Sequence, residues 1–149
     1  MGLVIQDAKA ELIPGAAESW TVSDDGKVYT FKLRAGATWS DGGPVTAEDF
    51  VYSFRRLEDP ATGAEYASML YPIVNAEEVN TGKAKPEELG VKAIDANTLE
   101  VTLKAPTPYF LEMLMHQAAY PVNRASIEKL GADWVKPGNL VSNGAYTLV

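Results

Sequence analysis

Cysteine is absent from all 149 residues, which excludes disulfide scaffolds, thiolate zinc sites and cysteine nucleophiles. Histidine occurs once, at His116, so a zinc site would have to draw every other ligand from Asp or Glu. Long apolar runs are also missing. The best of them, PYFLEMLM, falls far short of the about 20 residues that a membrane-spanning helix needs. Positive charge is scarce: 13 Lys and Arg face 20 Asp and Glu, for a net charge of −7. The basic residues are scattered, with Arg55-Arg56 the only adjacent arginines. Phosphate binding needs clustered cations to release counterions, so the charge argues against a nucleic-acid partner, and the acidic balance favours solubility. The opening run MGLVIQDAKAELIPG lacks a basic segment followed by an apolar one, and reads as no signal peptide. Neither GxGxxG, GxxxxGK[ST] nor GxSxG occurs, and SDDGK and SDGG are too short for a calcium loop.

What is present is ordinary globular composition, with 46% hydrophobic and 22% charged residues. The length is that of one domain, 1–149, which can bury roughly 68–70% of its unfolded surface. ESWTVSDDGKVYTFKLRAG predicts a hairpin: Trp20 and Val22 share a face of one strand, Tyr29, Phe31 and Leu33 a face of the next, and SDDG turns the chain between them. VKAIDANTLEVTLK predicts a second, with Leu99, Val101 and Leu103 alternating after a turn at Asp95-Ala96-Asn97. GLVIQD and the closing NGAYTLV read as further strands, and both ends look cut.

Three helices have clear signals. Thr46 is a good N-cap, with Glu48 and Asp49 in the first turn, Ala47, Phe50, Val51, Phe54 and Leu57 on one face, and Arg55 and Arg56 near the end. A second helix follows Thr107-Pro108, with Pro at the favoured first position and Phe110, Leu111, Leu114 and Met115 as its stripe. The third is NRASIEKLG, closed by Gly131. NAEEVNTGKAKPEELG is polar and predicts two short helical turns around a Gly-Lys connection. Strands and helices segregate, which favours an α+β fold: a small, mostly antiparallel sheet with packed amphipathic helices.

Candidate chemistry is thin. The carboxylate pairs Asp24-Asp25, Glu77-Glu78 and Glu87-Glu88 lie in polar turns. Glycosidase carboxylates face each other roughly 5 to 9.5 Å apart, whereas sequence neighbours point in different directions. His116 could in principle join a serine in a triad, but with no nucleophile elbow a structural place at a helix end is the favoured reading. No catalytic residue, metal ligand or cofactor is assigned. Trp20, Trp39, Tyr52, Tyr66, Tyr71, Tyr109 and Trp134 could line a ligand groove, although most must serve the core. Tyr66 stands apart because it follows a Pro- and Gly-containing loop in DPATGAEYASML, where functional groups are presented.

The run AESWTVSDDGKVYTFKLRAGATWSDGGPVTAEDFVYSFRRLEDP closely resembles the solute-binding proteins of peptide ABC importers. The resemblance continues in order through YAS, LGVKAIDANTLEVTL, PTPYFLEML, PVNRASIEKLG and NGAYTL, and so covers nearly the whole chain. It points to the periplasmic oligopeptide binders rather than the nickel or heme branches. Family members are much longer, with two lobes closing on a peptide and an additional domain on the first lobe. This chain is similar to that additional domain alone, the peripheral domain of a type II-like periplasmic binding protein.

The resemblance implies a non-catalytic, periplasmic role in peptide import, with oligopeptides, the ABC permease and the remaining domains as partners through the full-length parent. It implies no nucleic acid and no membrane insertion. The main cleft and the acidic residue holding the peptide's amino terminus belong to parts not in this chain. Tyr66 matches a tyrosine at the cleft edge. Trp39, Asp41, Gly42, Thr46 and Asp49 match a signature with an architectural role: Trp39 anchors a turn against the helix, Asp41-Gly42-Gly43 makes the turn, and Thr46 caps the helix. Gly43 stands where relatives often carry Thr, Lys or Glu, which loosens the turn slightly. Alone, the chain is expected to bind peptides weakly or not at all. The alternative is an autonomous scaffold that self-associates, as a homodimer through Leu3–Ile5 or Tyr146–Val149.

Overall fold

Both alternating segments form the hairpins their patterns require. In the computed structural model, which describes residues 1–146, β3 (Ala17–Val22) pairs antiparallel with β4 (Val28–Leu33), and β5 (Val91–Asp95) with β6 (Thr98–Thr102). β4 also pairs with β6, so the sheet order is β3-β4-β6-β5, antiparallel throughout. Register places Trp20 opposite Phe31, Phe31 opposite Leu99 and Tyr29 opposite Val101, so the apolar sets of three strands share one face. Each turn is closed by its own acidic side chain: Asp25 Oδ1 accepts from the Lys27 amide at 3.1 Å, and Asp95 Oδ1 from the Asn97 amide at 2.8 Å.

A separate ribbon of β1 (Val4–Gln6) and β2 (Leu12–Pro14) precedes the sheet. β1 lies where GLVIQD predicts a strand. β2 has no counterpart in the sequence reading, because three residues are too few to show alternation. Of the closing run NGAYTLV, residues 143–146 form no strand, and 147–149 lie outside the described residues. Asn143 is tied to the other end of the chain, accepting from the Met1 amino group at 2.6 Å and donating to the Met1 carbonyl at 2.9 Å.

α1 (Ala47–Glu58) covers the apolar face of the sheet. Its buried residues Ala47, Phe50, Val51 and Phe54 repeat at helical spacing, and each large apolar side chain so buried contributes about 1.5–3 kcal/mol. The Phe50 and Phe54 rings meet edge to face at 6.3 Å, and Tyr29 meets Phe110 the same way at 5.1 Å. The Ala47 amide donates to the Ala96 carbonyl at 2.8 Å, fastening the start of α1 to the β5–β6 turn. The segment 75–90 forms two short helical pieces, α2 (Ala76–Asn80) and a 3₁₀ turn at Pro86–Glu88. α4 (Arg124–Leu130) is capped by Asn123, whose Oδ1 accepts from the Ser126 amide at 2.8 Å, and stops at Gly131 with φ 55°.

The second expected helix is much shorter than its apolar stripe suggests. α3 spans only Phe110–Met113, with Tyr109 rather than Thr107 or Pro108 at the cap, so Pro108 precedes the first helical residue by two. The amides of Met115 and His116 bond three residues back, to Glu112 and Met113 at 3.2 Å each, which tightens the last turn. His116 then turns extended, and its Nδ1 accepts from the Ala118 amide at 3.1 Å. That local bond competes with helix continuation and starts a 3₁₀ turn at Gln117–Ala119 instead.

Candidate ligand-contact site

Tyr66 is delivered by the end of α1. Asp59 follows the helix and caps a 3₁₀ turn, Pro60–Thr62, accepting from the Ala61 amide at 2.9 Å. Gly63 then adopts a left-handed conformation (φ 63°) that lets the chain double back. Tyr66 sits at the head of a second 3₁₀ turn, Ala67–Leu70, whose Ala67 and Leu70 are buried while Tyr66 itself is 53% exposed. Its ring stacks at a 46° tilt on the imidazole of His116, 5.1 Å between centroids. Because the Ala118 amide donates to His116 Nδ1, the neutral ring carries its proton on Nε2. The pair thus presents an aromatic face, a phenol and an N–H donor. Such a surface suits a ligand with apolar side chains and backbone carbonyls. His116 is a contact of Tyr66 that sequence reasoning missed, since nothing local links two residues so far apart.

The remaining aromatics divide. Trp39 is buried at 3% exposure, the Tyr71 hydroxyl donates to Asn80 Oδ1 at 2.8 Å, and Tyr52 and Trp134 lie under arginines. Tyr109 and Tyr146 are the other exposed rings among the described residues, at 61% and 89%.

The signature residues gather around one carboxylate oxygen. Asp49 Oδ2 accepts from the Thr46 amide at 2.8 Å, the Trp39 indole N–H at 3.2 Å and the Thr46 hydroxyl at 3.3 Å. The turn itself is held by Asp41 Oδ1, which accepts from the Gly43 amide at 2.9 Å, and by the Gly42 amide donating to the Trp39 carbonyl at 2.9 Å. Gly42 sits at φ 90°, which an L side chain rarely adopts. Asp49 is therefore more than a dipole partner: it is the acceptor on which turn and helix converge.

Residues 11–149 match the family described as "Bacterial extracellular solute-binding proteins, family 5 Middle". The chain belongs to that family. It is 53% identical over 149 residues to the periplasmic oligopeptide-binding protein OppA of Escherichia coli K12, covering 99% of this chain and 27% of the relative. It is 48% identical to the periplasmic murein peptide-binding protein MppA of the same strain, again over 27% of that protein. Among solved structures, Haemophilus influenzae OppA in complex with RPPGFSPFR superposes with a TM-score of 0.95 at 50% identity, covering 98% of this chain and 29% of that one. This family 5 chain thus spans little more than a quarter of the relatives it matches. The chain is α+β with two small antiparallel sheets, and it superposes closely on the matching part of that structure.

Two further observations bear on chemistry. Among the described residues, no three His, Cys, Asp or Glu side chains converge as metal ligands, and no helix is long and apolar enough to cross a membrane. Of the carboxylate pairs read as solvated, Asp24 and Asp25 are exposed in a hairpin turn, and Glu87 and Glu88 are exposed in the 86–88 turn. Glu77 is exposed, whereas Glu78 keeps one buried oxygen without a partner. The carboxylate that the sequence reading overlooked is Glu58. It is fully buried, neither oxygen has a partner, and burial pushes its pKa from 4.5 to about 8.

Proposed function

We propose that this chain is a single peripheral domain of a peptide-binding receptor that serves an ABC importer in the periplasm, with no catalytic role. The observation that carries the reading is exposed Tyr66, held on a capped loop against half-buried His116 in a chain half identical to proteins named for peptide binding. In the full-length parent, Tyr66 forms part of the cleft edge, and oligopeptides and the permease are partners through that parent. Trp39, Asp41, Gly42, Thr46 and Asp49 serve architecture and touch no ligand.

A ligand pocket needs walls on several sides, and Tyr66 with His116 supplies one. The chain alone should therefore bind tri- to pentapeptides too weakly to register at micromolar concentration, while Tyr66→Ala in the full-length protein should weaken peptide binding. Because Tyr66 is exposed, that substitution should alter stability by less than about 0.5 kcal/mol. Titration calorimetry on both forms checks this. A low-micromolar dissociation constant for the 149-residue chain, or unchanged affinity in the full-length variant, would refute it.

The second reading is a self-associating scaffold with no ligand. It draws on the sheet edges, where Val22 of β3 and Ile94 of β5 are 44% and 49% exposed. Leu3 and Val4 offer less, being buried at 1% and 0%. A strictly monomeric sedimentation profile at high concentration removes that reading.

A further inference from the structure

The outer side of α1 lines a groove of about 340 Å³ whose charges of both signs are left apart. With its apolar stripe against the sheet, the helix turns Glu48, Tyr52, Arg55, Arg56 and Asp59 the other way, towards Pro86, Glu87 and Arg124 across the groove. Arg55 is the central group. Its Nε is shielded from solvent and has no partner, and its Nη2 reaches only the Glu87 carbonyl at a marginal 3.5 Å. Arg56 lies over the Trp134 ring at 5.9 Å, and Arg124 over Tyr52 at 5.4 Å while pairing outward with Glu128 at 2.7 Å. Among the described residues, neither Arg55 nor Arg56 has a carboxylate oxygen within 4.0 Å. Asp59 does not turn back on Arg55 because its carboxylate caps the following 3₁₀ turn.

We propose that this groove binds a small zwitterion of the amino-acid or dipeptide class. A guanidinium offers a carboxylate parallel N–H donors, and Arg55 lines the groove with Nη2 committed only to a marginal bond at 3.5 Å. A bare anion would meet Glu48, Asp59 and Glu87, and a bare cation would meet three guanidiniums. Only a ligand carrying both signs satisfies both sets, its carboxylate on Arg55 and Arg56 and its ammonium on the acidic rim. The Tyr52 ring and Pro86 supply the apolar wall, and the volume lies at the lower end of the small-molecule range. The proposal is independent of the Tyr66 reading.

The test is a titration of the 149-residue chain with glycylglycine, acetate, methylammonium and inorganic phosphate at constant ionic strength. It is read by tryptophan fluorescence and by the arginine Nε–H resonances. Glycylglycine should give a saturable change at millimolar concentration that disappears in Trp134→Phe, because Arg56 on that ring reports occupancy. Arg55→Lys keeps the charge but loses the fork, and should weaken binding about tenfold. Glu87→Gln should weaken glycylglycine and leave acetate unchanged, which separates the two subsites without touching Arg55. Lys92→Gln, on the exposed side of the sheet, should behave as wild type. Phosphate binding tighter than glycylglycine would mean a plain anion site and overturn the proposal. So would the absence of saturation, or equal affinity in Arg55→Lys and wild type.

Discussion

Glu58 should make this chain less stable as pH rises through neutrality, which is the reverse of the usual carboxylate effect. The group lies at the last turn of α1, fully buried, with both oxygens unpartnered. Its backbone carbonyl accepts from Asn80 Nδ2 at 3.2 Å, and Asn80 in turn accepts from the Tyr71 hydroxyl, so α2 and the 67–70 turn close over it. Burial raises its pKa from 4.5 to about 8. Below pH 4.5 both the folded and unfolded chains carry the proton, and Glu58 has no effect on stability. Between 4.5 and about 8 the unfolded chain has released the proton while the folded chain still holds it. Stability therefore falls by up to about 1.4 kcal/mol per pH unit, then levels off above 8. Across that interval the ceiling is about 5 kcal/mol.

Glu58→Met retains the bulk and removes the titration, and Glu58→Gln removes the titration but leaves an unpaired amide that itself costs about 1–3 kcal/mol. Urea denaturation at pH 5, 7 and 8.5 should show the stability gap between Glu58→Met and wild type widening with pH, reaching several kcal/mol at 8.5. Glu58→Gln should show the same widening displaced downward. Parallel stability-against-pH curves for wild type and both variants would show that the folded state holds Glu58 ionised, and the burial argument would fail.

Two other substitutions probe the frame. Asp49→Ala removes the acceptor for the Thr46 amide and leaves the buried Trp39 indole N–H unpaired, so the urea midpoint should fall by the equivalent of about 2–3 kcal/mol. Gly90→Ala places a methyl 2.8 Å from Val74 Cβ and 2.9 Å from the Thr102 carbonyl, where backbone bonds on both sides prevent retreat. It should destabilise by at least about 2 kcal/mol, seen as a lower thermal midpoint.

The parts legible in the sequence are those whose signals are local and redundant. α1 combines a cap, an acidic first turn, an apolar stripe and a basic last turn, and its bounds follow from them. The hairpins combine alternation with Asp and Gly turns. The second helix was overread because a stripe at Phe110, Leu111, Leu114 and Met115 fits one regular helix as well as a single turn followed by 3₁₀ structure. The deciding contact there is the bond from the Ala118 amide to His116 Nδ1, which no periodicity reports. Glu58 was hidden for a related reason. At a helix end a glutamate reads as solvated, and only the return of α2 and the 67–70 turn closes it off. The Tyr66–His116 contact joins two loops and left no trace in either.

The two ends of α1 are fixed in different ways, and the difference bears on how Tyr66 is presented. At the start, one oxygen of Asp49 gathers three donors, and the Ala47 amide reaches the Ala96 carbonyl, so the helix is tied to both the signature turn and the sheet. At the finish there is no comparable set of bonds to side chains. Glu58 is held by packing, with neither oxygen partnered, and Asp59 uses its carboxylate to begin the loop rather than to anchor the helix. Tyr66 is thus carried on a segment whose hydrogen bonds are mainly its own, resting on His116 from a second loop. Bonds of that local kind permit small readjustment of the ring without disturbing the sheet. On the proposed reading of Tyr66 as part of a cleft edge, that arrangement would let the ring adapt to different ligands, which a rigid extension of the core would not allow.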